Sequence, residues 1–139
     1  MSDLPLQPQD GPQPAPPRQA IAVLNDYHLL GKRIVHAMLR ASGIPIHDYG
    51  RMTVDELVAR VIADRVEILL ISTLMLPSAL QVKTLRTALT DHNLKVRIAV
   101  GGAPFLFDDT LWQEVGADAM GRNAADAIRI TRQWMGERP

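Results

Sequence analysis

The 139-residue chain has no cysteine. That excludes a disulfide framework, a thiolate metal centre, an iron–sulfur cluster and a thiol nucleophile. Net charge is missing as well, since Lys plus Arg and Asp plus Glu both number 15. No global positive field therefore points to nucleic acid or to a membrane surface. Apolar runs stay well short of the roughly 20 residues of a membrane span. The N-terminus lacks the basic and apolar regions of a secretory signal, so the expected compartment is cytoplasmic. What remains, 47% hydrophobic and 22% charged, is the composition of a soluble globular protein.

Proline is crowded into one place, at Pro5, Pro8, Pro12, Pro14, Pro16 and Pro17, beside glutamines and with little apolar after Leu6. Such a segment cannot bury enough surface to offset its ordering entropy. Residues 1–18 are accordingly expected to be a flexible tail or linker, and residues 19–139 one domain. About 120 residues bury roughly two-thirds of their unfolded surface, enough for an ordinary core.

From Gln19 onward strand signals alternate with amphipathic helix signals. Ala20 to Leu24 is a short apolar run ending in Asn25-Asp26. Gly31 to Ser42 has helical spacing, with Ile34, Ala37, Met38 and Ala41 expected on the apolar face and Arg33, His36 and Arg40 on the polar one. Ile44 to Tyr49 reads as a second strand. Thr53-Val54-Asp55-Glu56 is a capping box, followed by an apolar face of Leu57, Val58, Val61 and Ile62. Ile68 to Ile71 reads as a strand buried on both faces. A helix is expected from about Ser78 to His92, a strand at Val96 to Val100, and a helix carrying Leu111, Trp112 and Val115. A brief strand near Ala119 and a helix capped by Asn123 complete the series. Five strands alternating with helices imply an α/β fold: a doubly wound, flavodoxin-like (Rossmann-type) parallel sheet of order 2-1-3-4-5 with helices on both faces.

Function in such a sheet belongs on the loops after strands 1, 3 and 4. Those loops read Asp26-Tyr27-His28-Leu29-Leu30-Gly31, then Ser72-Thr73-Leu74, then Gly101-Gly102. A carboxylate beside a histidine orients the imidazole and raises its basicity, for a metal or for proton transfer. Two glycines admit something bulky close to the backbone. Asp26 alone could also cap the first helix.

D-x-H-x-x-G, S-x-L and G-G, separated by residues 32–71 and 75–100, together resemble the fingerprint of cobalamin-binding domains that hold the cofactor base-off and His-on. The resemblance covers Gln19 to Trp134. It implies that His28 ligates cobalt from below, displacing the cofactor's own dimethylbenzimidazole, with Asp26 accepting a hydrogen bond from the other ring nitrogen and Ser72 extending that relay. It also implies that the displaced nucleotide tail enters a slot that Gly31 keeps open, Leu74 lines and Gly101-Gly102 wall. Tyr27 and Leu29 flank the ligand and count among the cofactor-binding positions. His36, His47 and His92 are read as ordinary structural or solvated residues.

Two other readings of the same fold fail on residues. A phosphoacceptor needs Asp where this chain has Ser72 and Lys where it has Gly121-Arg122, and no strand leads into a phosphate-binding glycine loop. Among cobalamin proteins, Gly31-Lys32, Gly101-Gly102-Ala103-Pro104 and Gly116-Ala117-Asp118 most resemble the corrinoid modules of cobalamin-dependent methyltransferases. That resemblance implies a methyl carrier cycling between Co(I) and methylcobalamin, a cofactor-bearing component more than a complete enzyme. Its implied partners are methyltransferase subunits and a reductive activator, with a capping helical domain expected from another chain. The alternatives are the small subunit of an adenosylcobalamin-dependent mutase and, third, a cobalamin sensor or carrier. Leu76 stands where related methyl carriers often have threonine.

Overall fold

The structure is a computed structural model, and it describes residues 18–26 and 28–137. The expected tail lies outside the described residues except for Arg18. Arg18 is held: its carbonyl accepts the N–H groups of Glu67 and Ile68, and its guanidinium pairs with Glu67 at 2.8 Å.

Five parallel strands form one sheet in the order β2-β1-β3-β4-β5, as the alternation implies. They are β1 (Gln19–Leu24), β2 (His47–Met52), β3 (Ile68–Ser72), β4 (Arg97–Gly101) and β5 (Ala119–Met120). The central strands are apolar from Ala20 to Leu24 and from Ile68 to Ile71 because helices cover both of their faces. Helices α1 (Leu30–Ala41) and α6 (Ala124–Gly136) cover one face, over Ile21, Leu39, Leu70 and Ile130. Helices α2 (Val54–Asp64) and α3 (Leu76–Asp91), with the short α4 (Ala103–Phe107) and α5 (Leu111–Glu114), cover the other around Leu24, Leu57, Leu85 and Phe105. No helix among the described residues is long and apolar enough to cross a membrane.

Local chemistry explains the boundaries. Thr53 and Glu56 form the reciprocal capping box, and Asn123 accepts the Asp126 N–H to cap α6. His92 closes α3, its Nδ1–H donating to the Ala88 carbonyl at 2.8 Å. α3 begins two residues before Ser78 because Pro77 suits the first turn of a helix.

Four expectations are corrected. The second strand begins at His47, not Ile44, because Pro45 has no N–H to give a ladder. It then runs through Gly50, whose φ of 67° accommodates a bulge: Asp48 lies opposite Ile21 and Gly50 opposite Ala22. The single helix expected after β4 is two, α4 and α5. On α1, Ile34, Ala37, Met38 and Ala41 face outward, and the inward line is Lys32, Val35, His36 and Leu39. Lys32 and His36 turn toward Asp48 on β2, at 2.8 and 3.5 Å, which rotates the apolar stripe away from the sheet. Ile62 is likewise exposed on α2.

Candidate functional site

The site is built where β1 ends. Asn25 takes a left-handed conformation, φ 48°, its N–H donating to Met52 and its carbonyl accepting the Ser78 hydroxyl at 2.9 Å. This turn delivers Asp26 into the sheet's carboxyl edge, where its side chain is 1% exposed. One carboxylate oxygen accepts both the His28 N–H, at 3.1 Å, and the His28 ring Nδ1, at 2.7 Å. The other accepts the N–H groups of Leu74 and Met75, at 2.8 and 3.2 Å. Burial pushes the Asp26 pKa up, but the bonds from Leu74, His28 and Met75 outweigh it and hold the pKa down to about 2. An ionised carboxylate only accepts hydrogen bonds, so in the neutral tautomer Nδ1 of His28 carries the proton and Nε2 the lone pair. The His28 side chain is 56% exposed, so that lone pair belongs to a ring open to the outside.

Asp26 does not cap α1. The N-cap is Leu29, with no side-chain bond, and its carbonyl accepts the Arg33 N–H. Nor does Ser72 extend the Asp26–His28 pair, because both Asp26 oxygens are taken by His28 and the β3–α3 backbone. Ser72 ends β3 beside Gly31; a Cβ on Gly31 would stand 3.4 Å from its hydroxyl. Tyr27 lies outside the described residues.

Gly31 and Ser72 open into a slot of about 330 Å³ between α1 and α6, above the ends of β3 and β4. Ile34 and Val35 line one side, Ala127 and Ile130 the other, and Gly101, Gly102 and Gly121 contribute backbone alone. Leu74, expected in the slot, is not part of its lining: it donates its N–H to Asp26 while its side chain stands exposed at the rim. The turn after Ser72 is pinned by the Thr73 N–H, which donates to the Gly101 carbonyl at 3.1 Å. Gly102 meets a second demand. Its φ is 117°, and a Cβ there would lie 1.6 Å from the Thr73 carbonyl oxygen, so that glycine is required by the fold with or without a ligand.

Sequence reasoning missed the α6 wall, the N-terminal loop of α6 at Arg122-Asn123, and the fastening of the histidine loop by Ser78. The small residues Ala124 and Ala127 were the available signal for the wall. The other histidines do as expected or more: His47 stacks on Tyr49 with ring centroids 5.7 Å apart, whereas His36 is drawn inward to Asp48. Leu76 is exposed, as are Met75 and, on α4, Leu106 and Phe107; of these Leu106 lines the slot.

Residues 20–129 match the family model described as the B12 binding domain, and the chain belongs to that family. It is similar to monomethylamine corrinoid protein 1 of Methanosarcina mazei, 39% identical over 115 residues that make up 79% of this chain and 52% of that protein. The chain thus spans about half the length of the curated relatives it matches. Among solved structures it resembles a cobalamin-binding protein from Desulfitobacterium hafniense DCB-2, with a TM-score of 0.78 and 29% identity over 86% of this chain and 59% of that one. It also resembles the methanol:cobalamin methyltransferase complex MtaBC from Methanosarcina barkeri, with a TM-score of 0.72 and 26% identity over 94% of this chain and 51% of that one.

Proposed function

We propose that this chain is a corrinoid-binding module that carries a methyl group on cobalt within a cobalamin-dependent methyltransferase system, with His28 as the lower axial ligand. The observation that carries the reading is the juxtaposition of an oriented imidazole and a glycine-lined apolar slot at one sheet edge. Among the described residues no group of three or more His, Asp or Glu could hold a bare metal ion. A single histidine suffices only for a metal that brings its own equatorial ligands, which is what a corrin ring supplies.

The residues present fit such a group. Asp26 selects the tautomer whose Nε2 can ligate, and the slot offers apolar walls with backbone where a flat ring needs room. Gly31, Gly101 and Gly102 would border the nucleotide tail; Ser72 would meet it at the strand end. Tyr27, Leu29 and Leu74 would lie nearer the corrin. When bound, the corrinoid supplies a cobalt that takes up and passes on a methyl group; the protein holds, orients and shields it. Methyltransferase subunits, a reductive activator and a capping helical domain belong to the same proposal, as does the division into a linker at 1–18 and a domain at 19–139. The relatives support it, since the similar M. mazei protein is named a monomethylamine corrinoid protein and the M. barkeri structure is a methanol:cobalamin methyltransferase complex.

Electron paramagnetic resonance of the Co(II) form tests the ligand. With nitrogen-15-labelled protein and unlabelled cobalamin, the superhyperfine pattern should change from triplet to doublet. A persistent triplet would mean that the cofactor's own base still holds the metal.

A further inference from the structure

The slot holds one charge. Every other lining residue is apolar, glycine, Ser72 or Asn123, yet its mouth carries Arg122, on the loop between β5 and α6. The Arg122 guanidinium makes no hydrogen bond to any described residue, unlike those of Arg18, Arg60, Arg86, Arg97 and Arg129, each paired with a carboxylate. Arg33, Arg40 and Arg65 also lack a carboxylate partner among the described residues, but none of them lines the slot. Its backbone is fixed: the Arg122 N–H donates to Asp126 at 2.9 Å, and Asp126 in turn caps against Asn123. The Asp126 carboxylate feels the charge of Arg122 and is also reached by Arg129, at 3.4 Å. Two guanidinium groups therefore surround one carboxylate, and the mouth is left with an unspent positive charge.

An apolar slot with a lone cation at its mouth suits a ligand that is apolar at its far end and carries a single negative charge nearer the opening. A base attached through a phosphodiester has that form; a nucleoside triphosphate does not. We propose that Arg122 is the anion-binding residue for the phosphodiester of the corrinoid's nucleotide tail. Through it the module discriminates corrinoids with a complete tail from those without one. This rests on the reading of the slot given above. A guanidinium matches two phosphate oxygens in a plane, which a lysine ammonium does not.

The test titrates the full-length chain with hydroxocobalamin and with cobinamide, which has the same ring but neither phosphodiester nor base. Arg122→Gln should weaken cobalamin binding about fivefold, the equivalent of one exposed charge-assisted contact, and leave cobinamide binding unchanged. Raising the salt concentration should shrink the wild-type preference for cobalamin and leave the variant's affinities alone. An equal loss for both ligands, or no loss for cobalamin, overturns the role of Arg122 while leaving the corrinoid module standing. A wild-type chain that binds neither ligand overturns both.

Discussion

The Asp26 carboxylate reaches His28 Nδ1 at 2.7 Å with one oxygen and takes two backbone N–H groups of the β3–α3 loop with the other. The same side chain thus selects the histidine tautomer and ties the histidine loop to the neighbouring strand's loop. An amide, with one acceptor oxygen and one donor NH2, cannot fill both roles at once. In Asp26→Asn the NH2 group must face either the Leu74 and Met75 N–H groups, where it repels, or His28, where it donates to Nδ1 and moves the ring proton to Nε2. The variant should lose roughly 1–3 kcal/mol of stability and also lose the protein-derived nitrogen signal in the Co(II) spectrum. Chemical denaturation checks the first and nitrogen-15 labelling the second. A variant that keeps the nitrogen ligand would show that Asp26 does not govern the tautomer.

The same carboxylate makes a pH prediction. Its folded pKa, about 2, lies below the ordinary 3.8, so its contribution is complete above the unfolded value and fades as pH falls through the folded one. At neutral pH the difference amounts to about 2 kcal/mol. Wild type and Asp26→Asn should therefore differ most near neutrality and converge at about pH 2 to 3, as read from urea midpoints. A gap that stays constant on acidification would assign the effect to packing.

Strand order and most elements were legible because parallel strands buried on both faces, with Ile68 to Ile71 above all, leave continuous apolar runs between helical patterns. The first loop was legible because Asp26 and His28 are neighbours in the chain. What escaped were relationships across it. The spacing of Ile34 and Met38 indicates an apolar face but not its direction, and a buried Lys32 paired with Asp48 turned that face outward. The slot's second wall comes from α6, about 90 residues after α1, so no local pattern joins Gly31 to Ala127. Leu74 and Ser72 were assigned their surroundings from motif order, whereas the turn at Thr73 decides where each points. Gly102 was assigned to a ligand although the Thr73 carbonyl already demands it.

That last distinction separates two glycines experimentally. Gly102→Ala places a Cβ 1.6 Å from a backbone oxygen at a left-handed φ, so the chain should be strongly destabilised, with little folded protein recovered. Gly31→Ala adds a Cβ 3.4 Å from the Ser72 hydroxyl, an ordinary contact, inside a helix that prefers alanine. It should fold at least as stably as wild type, by up to about 1 kcal/mol, and yet bind cobalamin more weakly because the slot mouth is narrower. Unimpaired binding in a well-folded Gly31→Ala would move the tail away from this slot.

The Lys32–Asp48 pair fastens the first turn of α1, immediately after the histidine loop, to the bulged strand β2. Its two ends are unequally placed. The Lys32 side chain is 6% exposed, whereas that of Asp48 is 33% exposed and also accepts the Gly50 N–H at 3.1 Å. Removing one partner of a buried pair is costly because the other stays charged and dry. Asp48→Asn strands the buried ammonium and should cost about 3 kcal/mol. Lys32→Met leaves a carboxylate that water and His36 can reach, and puts an apolar chain of similar length in the lysine's place, so the cost should be about 1 kcal/mol or less. Replacing both residues, Lys32→Met with Asp48→Asn, removes the stranded charge and should recover most of what the asparagine variant loses. Urea denaturation of the three variants reads the order directly. Equal costs for the two single changes would mean that α1 shifts enough to hydrate Lys32, and that the first turn is not held where the structure puts it.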